Sequence, residues 1–355
     1  FFKNTIKNCV IHDRYYPGLI NSLTLIEQGN IFYLPTFYGL RTPLDYFTQF
    51  RKVSKLPEKI IFKECWLVCT DYMYAIWQSI ILPKSITNIP KWRGINIADI
   101  VKDELMQDQA GASLTQAVLI ERSFRRYKES GIRIYGIIDW FENQVVDRAI
   151  YLGARRNYPG VYIKGYQGFV VGKGYVGLQP IQYEYDGGVL PDELLVIGEA
   201  YVDDRRLECS KLLVSAAPAF RMKHVLNFKK IIKKKNTIIL AMPMSLVESS
   251  EIVNLSLLID LPENLKFELK VHPTITIEEF KKIIPQSVNR KIEFKKQSLS
   301  NLLSKACLVI TSASSSALDA VLCGVSVVIL GSRTTYTNNP LDGIVSSKNW
   351  VVCYT

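Results

Sequence analysis

The sequence predicts an α/β protein of two domains, each a parallel sheet with helices on its faces. Three observations carry the prediction. Residues 237–331 alternate short apolar runs with helical stretches, the pattern of a doubly wound sheet. Residues 132–171 read strand, helix, strand, the repeating unit of a parallel sheet. Residues 309–330, VITSASSSALDAVLCGVSVVIL, run from a strand into a serine-rich turn, then into a small-residue helix and a second strand.

Taken in order, residues 1 to about 90 read as apolar strands and aromatic loops, SLTLIEQGNIFYLPTFYG and then KIIFKECWLVCTDYMYAIW. Residues 97–130 have apolar positions three to four apart, which predicts one helix ended by Gly131. Strand IRIYGIIDW (132–140), helix ENQVVDRAIYLGARRNY (142–158) and strand VYIKGYQGFVV (161–171) follow. After Gly187 and Gly188 come turn signals and a polar helix to about Leu226. We place the domain boundary in this stretch, with an N-terminal domain over 1–205 and a C-terminal one over 206–355. The second domain reads as five strands (237–243, 266–273, 291–296, 307–312 and 325–331) with a helix between each pair.

A length of 355 residues suits about two domains. With 48% hydrophobic and 22% charged residues the chain can bury a large core. It has no apolar run of about 18 residues, so no membrane span is expected. The opening FFKNTIKNCV carries no signal-peptide pattern and begins abruptly, as a piece of a longer chain would. Seven cysteines without a CxxC pair, and three histidines, speak against a zinc site and for reduced thiols in a cytoplasmic protein. The net charge of +11 is concentrated partly in KKIIKKK (229–235) and RSFRRYK (122–128). These runs read as solvated helix faces or as attraction to an anionic acceptor or the inner face of a bacterial membrane. No nucleic-acid motif is present, and the aromatics are not interleaved with the cations, so nucleic acid is not expected as a partner.

Four loops of the second domain follow strand ends: 242–245, 272–274, 311–316 and 331–339. On an open parallel sheet such loops share one edge and can converge on one ligand. Ser245, His272, Pro273, Ser312, Ser314, Ser315 and Ser316 are therefore candidate nucleotide contacts. Asp319, about one helical turn further on, could accept hydrogen bonds from a ribose diol. The plainer readings are helix capping by the serines, a satisfied loop histidine and a solvated acid. An imidazole beside a phosphate is favoured protonated and could bind that group or protonate a leaving one. In the first domain, Asp139 and Glu142 at a strand's carboxyl end suit acid/base work, with Asn143 and Gln144 beside them and Gln167 and Gly168 ending the next strand. Capping of the following helix is the alternative for Glu142 and Asn143. Asp186 reads as part of a turn, and GKGYVG (172–177) is like a phosphate loop without the helix that should follow.

These residues resemble a family. The order and spacing of His272-Pro273 and Ser314-Ser315-Ser316 are similar to the His-Pro and Ser-Ser motifs of bacterial sialyltransferases and of enzymes transferring Kdo from CMP-Kdo. WFENQVVDRAIYLGAR followed by IKGYQGF resembles a first-domain segment of surface-carbohydrate biosynthesis proteins. The resemblance implies a glycosyltransferase of the GT-B type, with two Rossmann-like domains facing a central cleft. It implies a CMP-activated acidic sugar, Kdo or another nonulosonic acid, as co-substrate and a glycan or glycolipid of the bacterial surface as acceptor. His272 and Ser314 to Ser316 would contact the donor nucleotide, and Glu142, Asp139 or His272 would serve catalysis. No cofactor or metal is implied, because a CMP-sugar carries one esterified phosphate and no diphosphate to neutralise. YEYDGG (183–188) matches the acidic motif of sialyltransferases only in part. A nucleotide-diphosphate-sugar or CDP-glycerol transferase of the same fold, and a non-catalytic sugar-nucleotide-binding subunit of a capsule assembly complex, are the alternatives.

Overall fold

The computed structural model describes residues 6–7, 10–11, 13, 15–36, 43–56, 59–87, 89, 91, 93–109, 111–226, 236–285, 292–333 and 336–354. The basic run 229–235 lies outside them. The chain forms two compact units, each with its own parallel sheet. The first comprises residues 1–168, 179–196 and 202–220, and the second 169–178, 197–201 and 221–355.

After a two-stranded antiparallel ladder of residues 6–7 and 10–11, the first unit continues with helices. A short helix α1 (Leu25–Gly29) and α2 (Pro43–Val53) precede α3 (Cys69–Ser85), α4 (Ala98–Asp108) and α5 (Ala112–Glu129). Of the strands expected before residue 90, Ile6–Lys7 and Val10–Ile11 pair antiparallel; between Tyr15 and Ser85 one isolated bridge, Tyr33 with Ile60, is what pairs among the described residues. The reason lies in α3, which buries Asp71, Ala75, Ser79 and Pro83, four apart, while larger apolar residues such as Met73, Ile76 and Trp77 stay exposed. A buried stripe of small and polar residues hides the helical period from hydrophobicity. The single helix expected over 97–130 is two, because Gly111 is the N-cap of α5. Gly131 does end α5, at φ +80°, the left-handed turn that favours glycine.

Asp71 joins α3 to α5. Its carboxylate accepts from Arg122 Nε at 2.8 Å, Arg126 Nε at 2.8 Å and the Val68 amide at 3.0 Å. Two arginines of the 122–128 run are therefore committed inside the fold rather than to a solvated face.

The sheet of this unit has strands β1 (Gly136–Trp140), β2 (Tyr162–Gln167), β3 (Glu193–Val196) and β4 (Leu213–Ala216), in that order and all parallel. Helix α6 (Val145–Asn157) crosses between β1 and β2, and the short α7 (Gln182–Asp186) and α8 (Val202–Arg206) precede β3 and β4. The stretch after Gly188, read above as turns and a polar helix, supplies the last two strands, of four residues each. Residues 206–220 consequently belong to the first unit, not to the second, because β4 completes its sheet against β3.

The second unit follows α9 (Lys223–Leu226). Its strands are β5 (Thr237–Ala241), β6 (Lys266–Lys270), β7 (Ile292–Phe294), β8 (Ala306–Thr311), β9 (Ser326–Leu330) and β10 (Trp350–Cys353). The helices are α10 (Leu246–Leu257), α11 (Ile277–Lys281), α12 (Leu299–Leu303) and α13 (Ser316–Leu322). The five expected strands form, and β10 adds a sixth. Every residue of β5 is buried, and Leu240, Ile252, Val253, Leu269 and Phe280 form the centre of one apolar layer. Burying five side chains of this size contributes on the order of 10 kcal/mol before conformational entropy is set against it. The spatial order is β10-β9-β8-β5-β6-β7, all parallel.

Among the described residues six cysteines are unpaired thiols. No helix of the described residues is long and apolar enough to cross a membrane.

Candidate functional site

The strand order of the second sheet defines one crevice. From β5 the chain moves to β6 and β7 on one side, then returns to β8 beside β5 and continues to β9 and β10 on the other. Ligands of open α/β sheets bind where the order reverses, at the carboxyl ends of the two central strands. Here those ends carry loops 242–245 and 312–316.

Hydroxyl groups line this point. Thr311 Oγ1 donates to the Ala241 carbonyl at 2.8 Å, holding the two strand ends together. Ser245 caps α10, accepting from the Glu248 amide at 3.3 Å. The Glu248 side chain does not return to its own helix start; it reaches across the crevice, where Ser312 Oγ donates to Oε2 at 2.6 Å. Ser316 Oγ is buried, 2.8 Å from Ser314 Oγ and 3.3 Å from Thr311 Oγ1. Ser315 is exposed, caps nothing and leaves its hydroxyl outward. Asp319 is partly buried on α13 and already engaged.

The amides at this helix start are largely occupied. Ser316 N–H donates to Ser314 Oγ at 3.3 Å, and the amides of Ala317 and Leu318 donate to the carbonyls of Ser314 and Ser315, both at 3.1 Å. A first turn closed by such tight bonds offers a ligand hydroxyls more than N–H groups. Ser315 and Ser316 therefore separate in their roles. If the crevice holds a nucleotide, Ser315→Ala should leave the melting temperature unchanged and weaken that binding by about 1 kcal/mol, whereas Ser316→Ala should lower stability by about 1 kcal/mol. Calorimetric titration and thermal melts of the two single variants check this.

His272 follows β6, the neighbour of β5. The Thr274 amide donates to its Nδ1 at 3.3 Å, and Thr274 Oγ1 lies 2.7 Å from the same nitrogen. An Nδ1 that accepts leaves the ring proton of neutral imidazole on Nε2. Burial pulls the His272 pKa below its ordinary value, which favours the neutral ring when no anion lies beside it. Pro273 is exposed and turns the chain after the ring.

In the first unit the carboxylates are differently placed. Asp139 is the penultimate residue of β1, and Tyr151 Oη donates to its Oδ2 at 2.8 Å. Burial, and then the Asp147 charge, push its pKa well above the usual carboxylate range. Asp147 Oδ2 accepts from the amides of Glu142 and Gln144, each at 2.9 Å, which fixes the turn into α6. Burial raises its pKa to about 6 against the pull of those two amides. Asn143 completes the turn at φ +54°, a conformation asparagine tolerates. Glu142 is partly exposed, and its two oxygens are held by Trp140 Nε1 and Gln144 Nε2, both at 2.7 Å. It is the oriented, reachable carboxylate of the group; the capping role anticipated for it belongs to Asp147.

Asn143 and Gln144 also line a cavity of about 530 Å³ together with Tyr46, Gln116 and Arg148. Gln167 and Gly168 do not line it. Gln167 is buried, and its Nε2 has no hydrogen-bond partner. Gly168 lies so close under two rings that a Cβ would fall 2.3 Å from Tyr166 and 2.5 Å from Trp140. Its role is packing.

Sequence reasoning missed Asp147, Tyr151 and Glu248. Two of them carried a readable signal, since Gln144-x-x-Asp147 and Ser245-x-x-Glu248 have the spacing of helix-start capping pairs. Tyr151 lies one turn beyond Asp147 on the same helix face.

No protein-family model matches the chain, and no curated protein does. Among solved structures, the chain is similar to the glycotransferase of kitacinnamycin, at 14% identity over 96% of this chain and 82% of that one, with a TM-score of 0.47. It is similar to MurG of Acinetobacter baumannii at 11% identity, covering 66% of this chain and 65% of that one, with a TM-score of 0.40. A third likeness is to accessory secretory protein 1, 2 and 3 of Streptococcus pneumoniae, at 13% identity over 68% of this chain, with a TM-score of 0.40. The chain spans about half the length, 48%, of that last structure.

Proposed function

We propose that the protein is a glycosyltransferase that moves an acidic sugar, Kdo or another nonulosonic acid, from a CMP-activated donor to a glycan of the bacterial surface. The observation that carries the reading is the hydroxyl-lined crevice between β5 and β8, at the order reversal where open α/β sheets bind nucleotides. The low positive charge of that crevice favours a donor with a single phosphodiester over a nucleoside diphosphate. The Glu248 carboxyl group stands at its centre, and its loops 242–245 and 312–316 contain no lysine or arginine.

In this reading Ser315 and the His272 Nε2–H donate to the donor phosphate, and these hydrogen bonds strengthen as charge grows on the departing CMP. Glu142 takes the proton from the acceptor hydroxyl; its orientation by Trp140 and Gln144 is what recommends it over buried Asp139. His272→Ala should then lower kcat at least as much as it weakens donor binding, because the interaction strengthens toward the transition state. A variant with unchanged kcat would return His272 to a loop role.

Calorimetric titration with CMP, UDP and GDP tests the donor. Selective CMP binding is the expected result. Preference for UDP or GDP would replace it with a nucleotide-diphosphate-sugar transferase, and CMP binding without transfer to any acceptor would make the chain a binding subunit.

A further inference from the structure

Helix α3 is built inside out. Its buried stripe is Asp71, Ala75, Ser79 and Pro83. Its large apolar side chains, Tyr72, Met73, Ile76, Trp77, Ile81 and Leu82, are exposed, Met73 to 71% and Trp77 to 54%. Met73, Trp77 and Ile81 recur every four residues, so they share one face. The rings of Tyr74 and Trp77 lie 6.1 Å apart. A row of this size left in water forgoes the stabilisation that burial would give, and an apolar patch on a folded unit marks a surface that meets a partner.

The charges along this stretch have one sign. Residues 72–98 contain Lys84, Lys91 and Arg93, all exposed, and no aspartate or glutamate. Asp71, the acid of the helix, is buried against Arg122 and Arg126, and Glu64, before the helix, pairs with Lys63 at 2.6 Å. Acids return on α4, at Asp99, Asp103, Glu104 and Asp108. An apolar face with a cationic margin fits an anionic lipid surface. Apolar side chains enter the boundary between head groups and acyl chains, tyrosine and tryptophan rings sit at head-group depth, and lysine and arginine reach the phosphates. A second copy of the chain fits less well, because a two-fold contact through this face brings the same cations together. Helix α3 has 17 residues, about 25 Å, and no described helix is long and apolar enough to cross a membrane. It is therefore suited to lie along a bilayer, and the bonds from Asp71 to two arginines of α5 keep its outer face preformed.

We propose that the exposed face of α3, with Lys84, Lys91 and Arg93, docks the protein in the plane of an anionic lipid bilayer. The proposal does not draw on the two basic runs of the sequence. RSFRRYK commits Arg122 and Arg126 to Asp71, and KKIIKKK lies outside the described residues. It goes beyond the donor reading and holds whichever nucleotide the second unit takes.

Co-sedimentation of the full chain with vesicles of phosphatidylcholine alone, or of phosphatidylcholine mixed with the anionic phosphatidylglycerol, tests it. The native chain should bind the mixed vesicles, bind the neutral ones about tenfold less, and be released as salt is raised. Met73→Ser with Trp77→Ser should weaken binding to the mixed vesicles about ten- to hundredfold. The melting temperature should not change, since both side chains already face solvent. Replacing Lys84, Lys91 and Arg93 together by glutamine should remove most of the preference for the anionic lipid. A native chain that stays in solution beside the mixed vesicles overturns the proposal and leaves the donor reading standing. Native-like binding by the Met73 and Trp77 pair overturns it too, and gives the membrane contact to another part of the chain. A native dimer in analytical ultracentrifugation that the same pair dissolves overturns it in favour of a second copy. Should the pair lower the melting temperature, the cation variant decides by itself: an undiminished preference for anionic vesicles overturns the proposal.

Discussion

Glu142→Gln leaves a folded, donor-binding protein whose turnover falls by about 10²–10⁴-fold, the range for losing a positioned acid or base. Glutamine keeps the length and volume of the side chain but presents one carbonyl oxygen where the carboxylate presents two. Trp140 Nε1 and Gln144 Nε2 both donate to Glu142, so one of them loses its acceptor, at about 1 kcal/mol of stability. The turn itself survives because Asp147, not Glu142, accepts the amides of residues 142 and 144. Loss of rate and loss of fold are therefore separable here. Single-turnover kinetics beside a thermal melt decide the matter: a rate above about a tenth of native would move the base to Asp139.

The largest stability effect is expected at Asp71, far in sequence from these carboxylates. Asp71→Ala should destabilise the first unit by about 3 kcal/mol, the lower end for breaking a buried pair, since Arg122 and Arg126 keep some access to water. The carboxylate is fully buried. Burial alone would raise its pKa, yet Arg126, the Val68 amide and Arg122 hold it down at about 2. The folded-state value lies below the ordinary unfolded one of about 3.9. This contribution is thus complete above about pH 4 and is lost as the pH falls toward 2. Acid titration of the melting temperature checks the sign: native protein should lose stability between about pH 4 and 2 more steeply than Asp71→Asn. Matching profiles would mean that the arginines stabilise α3 and α5 without the charge of Asp71.

The central strand of the second sheet was legible in the sequence because it is buried on both faces. Residues 238–242 give an unbroken apolar run, bounded by Thr237 and Pro243. Strands β3 and β4 have four residues each and sit among turn signals, so nothing local distinguishes them from loop. Helix α3 was misread because its buried face is a stripe of small and polar residues while large apolar side chains stay exposed, so no period stands out. The serine turn was legible as a feature, but the destinations of its hydroxyls were not. Ser312 meets Glu248 across 64 positions of sequence, and only the strand order makes them neighbours. The burial that favours a neutral His272 is likewise a property of packing that a His-Pro pair does not reveal.

The path of the chain has a practical consequence for anyone wishing to cut this protein in two. The backbone passes from one unit to the other after residues 168, 178, 196, 201 and 220, so no single cleavage yields two intact pieces. Expression of 221–355 alone would strip Gly172 and Gly174 from Asn338 and Tyr336 and uncover loop 336–343. The reciprocal fragment 1–220 would keep all four strands of its sheet, β1 to β4, but leave 169–178 and 197–201 without the surface they pack on. Limited proteolysis should accordingly release nicked but associated fragments rather than free domains, and chimaeras that exchange the second unit should carry 169–178 along with 221–355.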